Sequence, residues 1–224
     1  MEINEFFPEN IPMEKINDFR KNVDDVKRIM TYYRCALMEI ETKFNVLSSQ
    51  FSLEQEHNPI DTIKTRLKST ESIIDKLQRK GLSLNIESAE KHLNDVAGIR
   101  VICPFINDIY LLSDCLLAQD DVRLIQKKDY IQNPKPNGYR SLHLIVETPI
   151  FLQNEKRLMK VEVQLRTIAM DFWANLEHRM RYKKDLNPQI LDMLSDELKI
   201  CADTSASLDF RMERIKNTIE ENSR

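Results

Sequence analysis

Eleven residues, Asn133 to His143, read NPKPNGYRSLH. They bring together Lys135, Tyr139, Arg140 and His143 around an Asn137-Gly138 turn, in a chain with only three glycines and four histidines in all. A surface turn needs the Asn-Gly alone. The stretch runs into YRSLHLIVET (Tyr139–Thr148), and RLMKVEVQLR (Arg157–Arg166) follows. Both alternate as strands do, so Tyr139, Ser141 and His143 share one face and Lys160, Glu162, Gln164 and Arg166 share another. A hairpin centred near Leu152 and Gln153 would set His143 opposite Glu162, Ser141 opposite Gln164 and Tyr139 near Arg166. Many antiparallel sheets are wet on one side, but such a face usually carries Thr, Lys and Glu. This one carries a base, an aromatic platform and several anion donors, the makings of a site.

Other residues point the same way. Lys68, Ser72, Lys76 and Arg79 recur at the spacing of one helix face, on a helix expected from about Ile63 to Gly81 with Arg66 near its start. A row of cations and a hydroxyl can track a polyphosphate, although a solvated face is the usual reason for charges on a helix. DVAGIR (Asp95–Arg100) places an acid before a strand and Arg100 on it. Asp95 and Glu162, from separate strands, could share a hard cation such as Mg²⁺, which binds through one or two carboxylates plus phosphates. Gly81, Gly98 and Gly138 are isolated, so there is no Walker loop and no GxGxxG. Any bound nucleotide must have its phosphates held by Lys and Arg side chains, which excludes P-loop and ordinary protein-kinase mechanisms.

The elements that must position these residues suggest an α+β fold with a mixed sheet. Strands are expected at Ala97–Phe105, Val122–Ile131, Tyr139–Thr148 and Arg157–Arg166, with helices at 106–118 and Thr167–Tyr182. Two heptad seams flank this core. Ile16, Phe19, Val23, Val26, Met30, Tyr33, Leu37, Ile40, Phe44 and Leu47 form the first. Leu191, Leu194, Leu198, Cys201, Ser205, Leu208, Met212, Ile215 and Ile219 form the second. Each could pack on the other, on the core or on another subunit. Residues 1–59 are thus an N-terminal helical segment, 60–184 the core and 185–224 a C-terminal helical segment.

Composition sets the outer bounds. The 224 residues are 42% hydrophobic and 31% charged, an ordinary aqueous composition, with no apolar run of the ~18 residues a membrane span needs. The N-terminus MEINEFFPEN is acidic and lacks the basic region of a signal peptide. Cys35, Cys103, Cys115 and Cys201 form no CxxC pair, which argues against a zinc knuckle and fits reduced thiols in a cytoplasm. The net charge of −3 is uneven: residues 60–184 hold 21 Lys and Arg against 16 Asp and Glu. A basic middle between acidic flanks suggests an anionic ligand, though the excess is too modest for a long nucleic acid duplex.

Arg66-x-Lys68-Ser69, Asp95-x-x-Gly98-x-Arg100, Lys135-x-Asn137-Gly138-Tyr139-x-Ser141-x-His143 and Glu162-x-Gln164-x-Arg166-Thr167 occur in that order. Together they resemble the synthetase domain of the RelA/SpoT family, the (p)ppGpp synthetases, over about residues 60–184. MDFWANLEH (Met170–His178) resembles the family's following helix. With no adjacent His-Asp pair of a hydrolase domain and no length for regulatory domains, the chain resembles a stand-alone small alarmone synthetase, nearer the RelP (YwaC) type than the RelQ (YjbM) type.

The resemblance implies a cytoplasmic GTP pyrophosphokinase of the bacterial stringent response. It would move the β,γ-pyrophosphate of ATP to the ribose 3′-OH of GDP or GTP and release AMP. It also implies a nucleotidyltransferase-like sheet of about five strands, and a homotetramer. Carried over by position, Glu162 would activate the 3′-OH, and Asp95, with help from Glu162, would hold Mg²⁺. Arg66 and Arg100 would sandwich adenine, and Lys68, Ser72, Lys76 and Arg79 would hold the ATP phosphates. Tyr139 would stack on guanine, aimed by Asn137 and Gly138, and Lys128, Lys135 and His143 would contact the acceptor's phosphates. Gln164 would order the guanosine site, and Asp171 would read the guanine edge. Two other classes compete: a non-catalytic nucleotide- or RNA-binding module on the same fold, and a nucleotidyltransferase that releases pyrophosphate.

Overall fold

In a computed structural model, residues 13–54, 57–181 and 188–222 are described. The N-terminal heptad seam lies on helix α1 (Met13–Glu54), and Tyr33, Leu37, Ile40 and Phe44 are buried along it. They join one core with Val101, Val161, Val163, Leu165, Leu142 and Leu144 of the sheet. Burying a side chain of this size stabilises the fold by about 1.5–3 kcal/mol, so this stripe fixes α1 against the sheet. From Met30 to Leu47 the first seam therefore packs internally. Its residues Ile16, Phe19 and Val23 have side chains outside the described set.

The sheet has five strands, β1 (Thr62–Leu67), β2 (Ala97–Cys103), β3 (Arg123–Asp129), β4 (Leu142–Phe151) and β5 (Lys156–Thr167). Their spatial order is β1-β2-β5-β4-β3. Only β2 and β5 run parallel; the other neighbours are antiparallel. Helix α4 (Ile106–Leu117) makes the crossover from β2 and packs with α1 on the apolar core. The opposite face of the sheet carries the polar residues, and α5 (Ile168–Arg181) and α6 (Pro188–Asn222) follow β5. Among the described residues no helix is long and apolar enough to cross a membrane.

Three expectations need correction. The stretch from Ile63 to Gly81 is not one helix. Residues 62–67 form edge strand β1, and only Thr70–Arg79 is helical, as α2. Ile63 and Leu67 suit both an i, i+4 helix and a period-2 strand, and pairing of β1 with β2 decides for the strand. Ser69 caps α2 by accepting from Ser72 N. The helix ends in a Schellman turn, with Leu82 N donating to Leu77 O and Gly81 N to Gln78 O. A short helix, α3 (Ile86–His92), had no clear sequence signal.

The hairpin register is the second. Each β4 residue pairs two residues further along β5 than expected, so His143 lies opposite Gln164 and Ile145 opposite Glu162. The turn closes near Asn154, where Leu152 N donates to Glu155 O. The third is Ser141, which does not line the polar face. It precedes β4, is fully buried, and donates to Leu165 O at 3.1 Å.

Candidate active site

The observed register draws one row of side chains across the whole sheet. Lys64 on β1 pairs with Arg100 on β2, Arg100 with Gln164 on β5, Gln164 with His143 on β4, and His143 with Lys128 on β3. Paired residues present their side chains on the same face. In the next row Arg66 pairs with Gly98, and Gly98 with Glu162. Gly98 has no side chain, so bare backbone floors the space between Arg66 and Glu162.

A cavity of about 340 Å³ opens on these rows, lined by Lys64, Thr65, Arg66, Lys68, Asp95, Gly98, Ile99, Arg100, Glu162 and Gln164. Four cations face two carboxylates there, a balance suited to a polyphosphate. Lys68 and Lys76 both bond Asp95 Oδ2, at 2.7 and 2.6 Å. Burial pushes the Asp95 carboxyl up, but the two ammonium groups outweigh it and hold the pKa below the ordinary value. Asp95 Oδ1 is buried without a hydrogen-bond partner. A buried carboxylate oxygen with a free lone pair, in the same cavity as Glu162, fits a hard cation. Among the described residues no group of three or more His, Cys, Asp or Glu is arranged to hold a metal. A Mg²⁺ site built from one or two carboxylates and substrate phosphates has this form.

Glu162 leads from this cavity to the NPKPNGYRSLH stretch through a chain of contacts. His143 Nδ1 lies 3.3 Å from Glu162 Oε1, and Gln164 Nε2 donates to Oε2 at 2.9 Å. His143 Nε2 lies 2.8 Å from Tyr139 Oη. Arg166 Nη2 donates to Tyr139 Oη at 2.6 Å and to Gln164 Oε1 at 3.2 Å. Burial raises the Glu162 pKa and Asp95 adds to that, yet the imidazole of His143 and the amide of Gln164 prevail, so the net shift is downward. The carboxylate is thus poised to accept, not to donate.

The loop that aims Tyr139 is closed by its own hydrogen bonds. Gly138 N donates to Lys135 O at 2.8 Å across a Pro136-Asn137 turn, with proline at the position such turns favour. Asn137 Oδ1 accepts from Tyr139 N, and its amide reaches Glu177. Lys135 Nζ lies 4.7 Å from the centroids of both Tyr130 and Tyr139, and Arg166 Cζ lies 5.0 Å from Tyr139.

Most of the residues singled out in the sequence meet here, with three qualifications. Arg79 lies in the last turn of α2, bonds Asp75 O and does not line the cavity. Ser72 sits in the first turn of α2, beside the cap. Asp171 is buried with its oxygens engaged: Oδ1 accepts from Arg100 and Arg166, and Oδ2 from Asn175. Burial raises its pKa, and Arg100 and Arg166 bring it below the ordinary value.

Three residues were given no role by the sequence. Lys64 lines the cavity and alternates with Arg66 once β1 is read as a strand. Tyr130 packs edge-on against His143, with centroids 5.3 Å apart. Arg166 stood on the polar face near Tyr139 by its period but was given no role, and it bonds Tyr139, Gln164 and Asp171. Trp173 is buried, as its helical setting predicts.

Residues 65–187 match the family described as "Region found in RelA / SpoT proteins". The chain is 44% identical to GTP pyrophosphokinase YwaC of Bacillus subtilis (strain 168), over 94% of this chain and all of that protein. It is 33% identical to GTP pyrophosphokinase YjbM of the same organism, over 87% of this chain and 90% of that one. The expected nearness to the YwaC type therefore holds. The crystal structure of small alarmone synthetase 1 from Bacillus subtilis bound to its product pppGpp superposes with a TM-score of 0.79, at 32% identity, over 87% of this chain and 98% of that one. The shared fold is the mixed five-stranded sheet with flanking helices, and the chain belongs to the RelA/SpoT family as a small alarmone synthetase.

Proposed function

We propose that this chain is a GTP pyrophosphokinase that moves the β,γ-pyrophosphate of ATP to the 3′-OH of GDP or GTP. The observation that carries the reading is the pairing of two half-sites through Glu162. A cationic cavity with two carboxylates lies on one side, and the Tyr139–His143 platform lies on the other. ATP occupies the cavity. Arg66 and Arg100 hold adenine between flat guanidinium faces, and Lys68, Ser72 and Lys76 hold the phosphates. Lys68 and Lys76 exchange Asp95 for phosphate oxygens as the nucleotide enters. Asp95 Oδ1, with Glu162, would hold Mg²⁺, which when bound offsets the charge of the ATP phosphates.

The acceptor's guanine stacks on Tyr139, taking the place of Lys135 over the ring. Lys135, Lys128 and His143 meet its 5′-phosphates. Asp171 holds Arg100 and Arg166 in place, a role that its engaged oxygens support over reading the guanine edge. Glu162 orients the 3′-OH and accepts its proton as the oxygen attacks the β-phosphorus. The bond from the β-phosphorus to the oxygen it shares with the α-phosphate breaks, and AMP leaves. The free thiols are consistent with a reducing cytoplasm.

The reading places assembly on α6. Leu208, Met212 and Ile215 of the second heptad seam each leave about half of their surface exposed in the single chain. An exposed apolar stripe on a long helix is the surface a second copy would cover, in line with a homotetramer.

The test is a product assay with pure protein, ATP and Mg²⁺, adding GDP, GTP or no acceptor. AMP and a guanosine tetra- or pentaphosphate are expected only with acceptor, and not from Glu162→Gln. Pyrophosphate in place of AMP would point to nucleotidyl transfer. Tight nucleotide or RNA binding without turnover would point to a binding module.

A further inference from the structure

The acceptor loop does not stand alone. Its backbone at Gly138 lies flat on α6, a helix beyond the family-matched residues. Gly138 has φ +86°, and a Cβ built there would meet Ala202 Cβ at 2.5 Å, with Lys199 Cα at 3.6 Å. Only glycine opposite a small residue permits that approach. Arg140 ties the two together. Its Nη1 donates to Gly138 O at 3.1 Å and to Ala202 O at 3.4 Å, and its Nη2 to Asp203 Oδ1 at 3.0 Å. Beneath Tyr139, Trp173 packs with Ala202 and donates from Nε1 to Leu198 O at 2.9 Å.

Resting on the acceptor-site reading above, we propose that α6 is the back wall of the acceptor-nucleotide site. Ala202 and the Arg140–Asp203 ion pair act as positioning residues that hold the Lys135–Tyr139 turn in its binding shape. Neither Ala202 nor Asp203 lines the ATP cavity. Loss of the clamp frees the turn and so weakens the acceptor, while the ATP half-site, built on β1, β2 and α2, is untouched.

Two readouts test this. The first is steady-state kinetics with each nucleotide varied against a saturating level of the other. Asp203→Ala should raise the acceptor KM about three- to fivefold, as an exposed ion pair allows, and Ala202→Leu about tenfold or more by overpacking against Gly138. The KM for ATP should stay within about twofold in both, and Asp203→Glu should restore the acceptor KM by re-forming the pair. The second is amide hydrogen exchange on the nucleotide-free protein. In Asp203→Ala the Lys135 and Gly138 amides, which close the turn, should exchange faster, while those of β2 and β5 should not change. Asp203 is an exposed helix residue, so this variant keeps its fold if Ala202→Leu does not. Parallel rises in both KM values, no change in either, or wild-type exchange in the turn would overturn the proposal. A wild-type protein that makes no alarmone would instead remove the acceptor reading, and the exchange arm alone would then decide whether α6 holds the loop.

Discussion

Opposing influences act on the Glu162 carboxylate. Burial and the neighbouring Asp95 favour its neutral form, while His143 and Gln164 favour the charged one and win. A lowered pKa means the base form persists as pH falls and is lost only below the ordinary glutamate value. The acid limb of kcat should therefore lie below that value, with activity level through mildly acidic pH. Gln164→Leu removes a lowering influence and leaves burial in place, so its acid limb should move upward; a pH–rate profile unmoved by this change would contradict the account. Glu162→Gln should lower kcat by about 10²–10⁴-fold while acceptor binding, followed by calorimetry, is retained. Asp95 gains its depressed pKa from Lys68 and Lys76, so its charge is secured by the same cations proposed to receive ATP.

At the scale of elements, the sheet gathers the candidate residues and α6 packs behind the Gly138 loop. Gly98 leaves the floor between Arg66 and Glu162 open, and a Cβ there would find ordinary contacts, the nearest Arg66 O at 3.7 Å. Gly98→Ala should fold and bind ATP with little loss. Gly98→Leu should fold but raise the ATP KM by about tenfold or more, since a branched side chain fills the cavity floor. α6 docks by an unusual face of small and acidic residues, Ala202, Ala206, Asp209 and Glu213. Glu213 Oε2 accepts from Ile106 N and Asn107 N and so caps α4 from another helix. Asp209 accepts from Thr167 at 2.5 Å. Burial pushes its pKa up to about 6, helped by Glu213 and opposed by Thr167 and Arg140. A raised carboxyl pKa means the folded chain holds a proton that the unfolded chain has released. Stability from this group is present at low pH and is lost between about pH 4 and 6, by up to about 3 kcal/mol. Asp209→Asn, which keeps an acceptor for Thr167, should raise Tm by several degrees at pH 8 and have little effect near pH 4, as thermal melts would show.

At the scale of the whole molecule, the two heptad seams part company. The described α1 seam is spent on the core, with Ile40 and Phe44 fully buried, while Leu208, Met212 and Ile215 of the α6 seam are left exposed. Charge on the α6 seam should disassemble the proposed homotetramer without unfolding it. Leu208→Asp with Met212→Asp should lower the mass seen by light scattering and leave the circular dichroism of the subunit intact. A mass identical to wild type would remove α6 from the assembly.

Sequence by itself determined the chemistry and much of the fold. Residue types at fixed spacing pointed to Asp95, Tyr139, His143, Glu162 and Gln164 as candidates, and the fold brings them together around one sheet face. Period-2 alternation identifies β4 and β5, because one face of each is buried. Tertiary structure decided what depends on partners. The strand character of 62–67 comes from pairing with β2, since its apolar spacing suits helix and strand equally. The hairpin register comes from where the turn closes, which the alternation leaves free by steps of two. The α6 docking face lies one residue beyond the apolar seam, at Ala202, Ala206, Asp209 and Glu213. Hydrophobicity pointed to the seam, but close approach of the Gly138 loop requires small side chains, and the N-terminal amides of α4, covered by α6, require an acceptor. Those demands arise only once the loop and α4 are in place, so no local pattern could announce them.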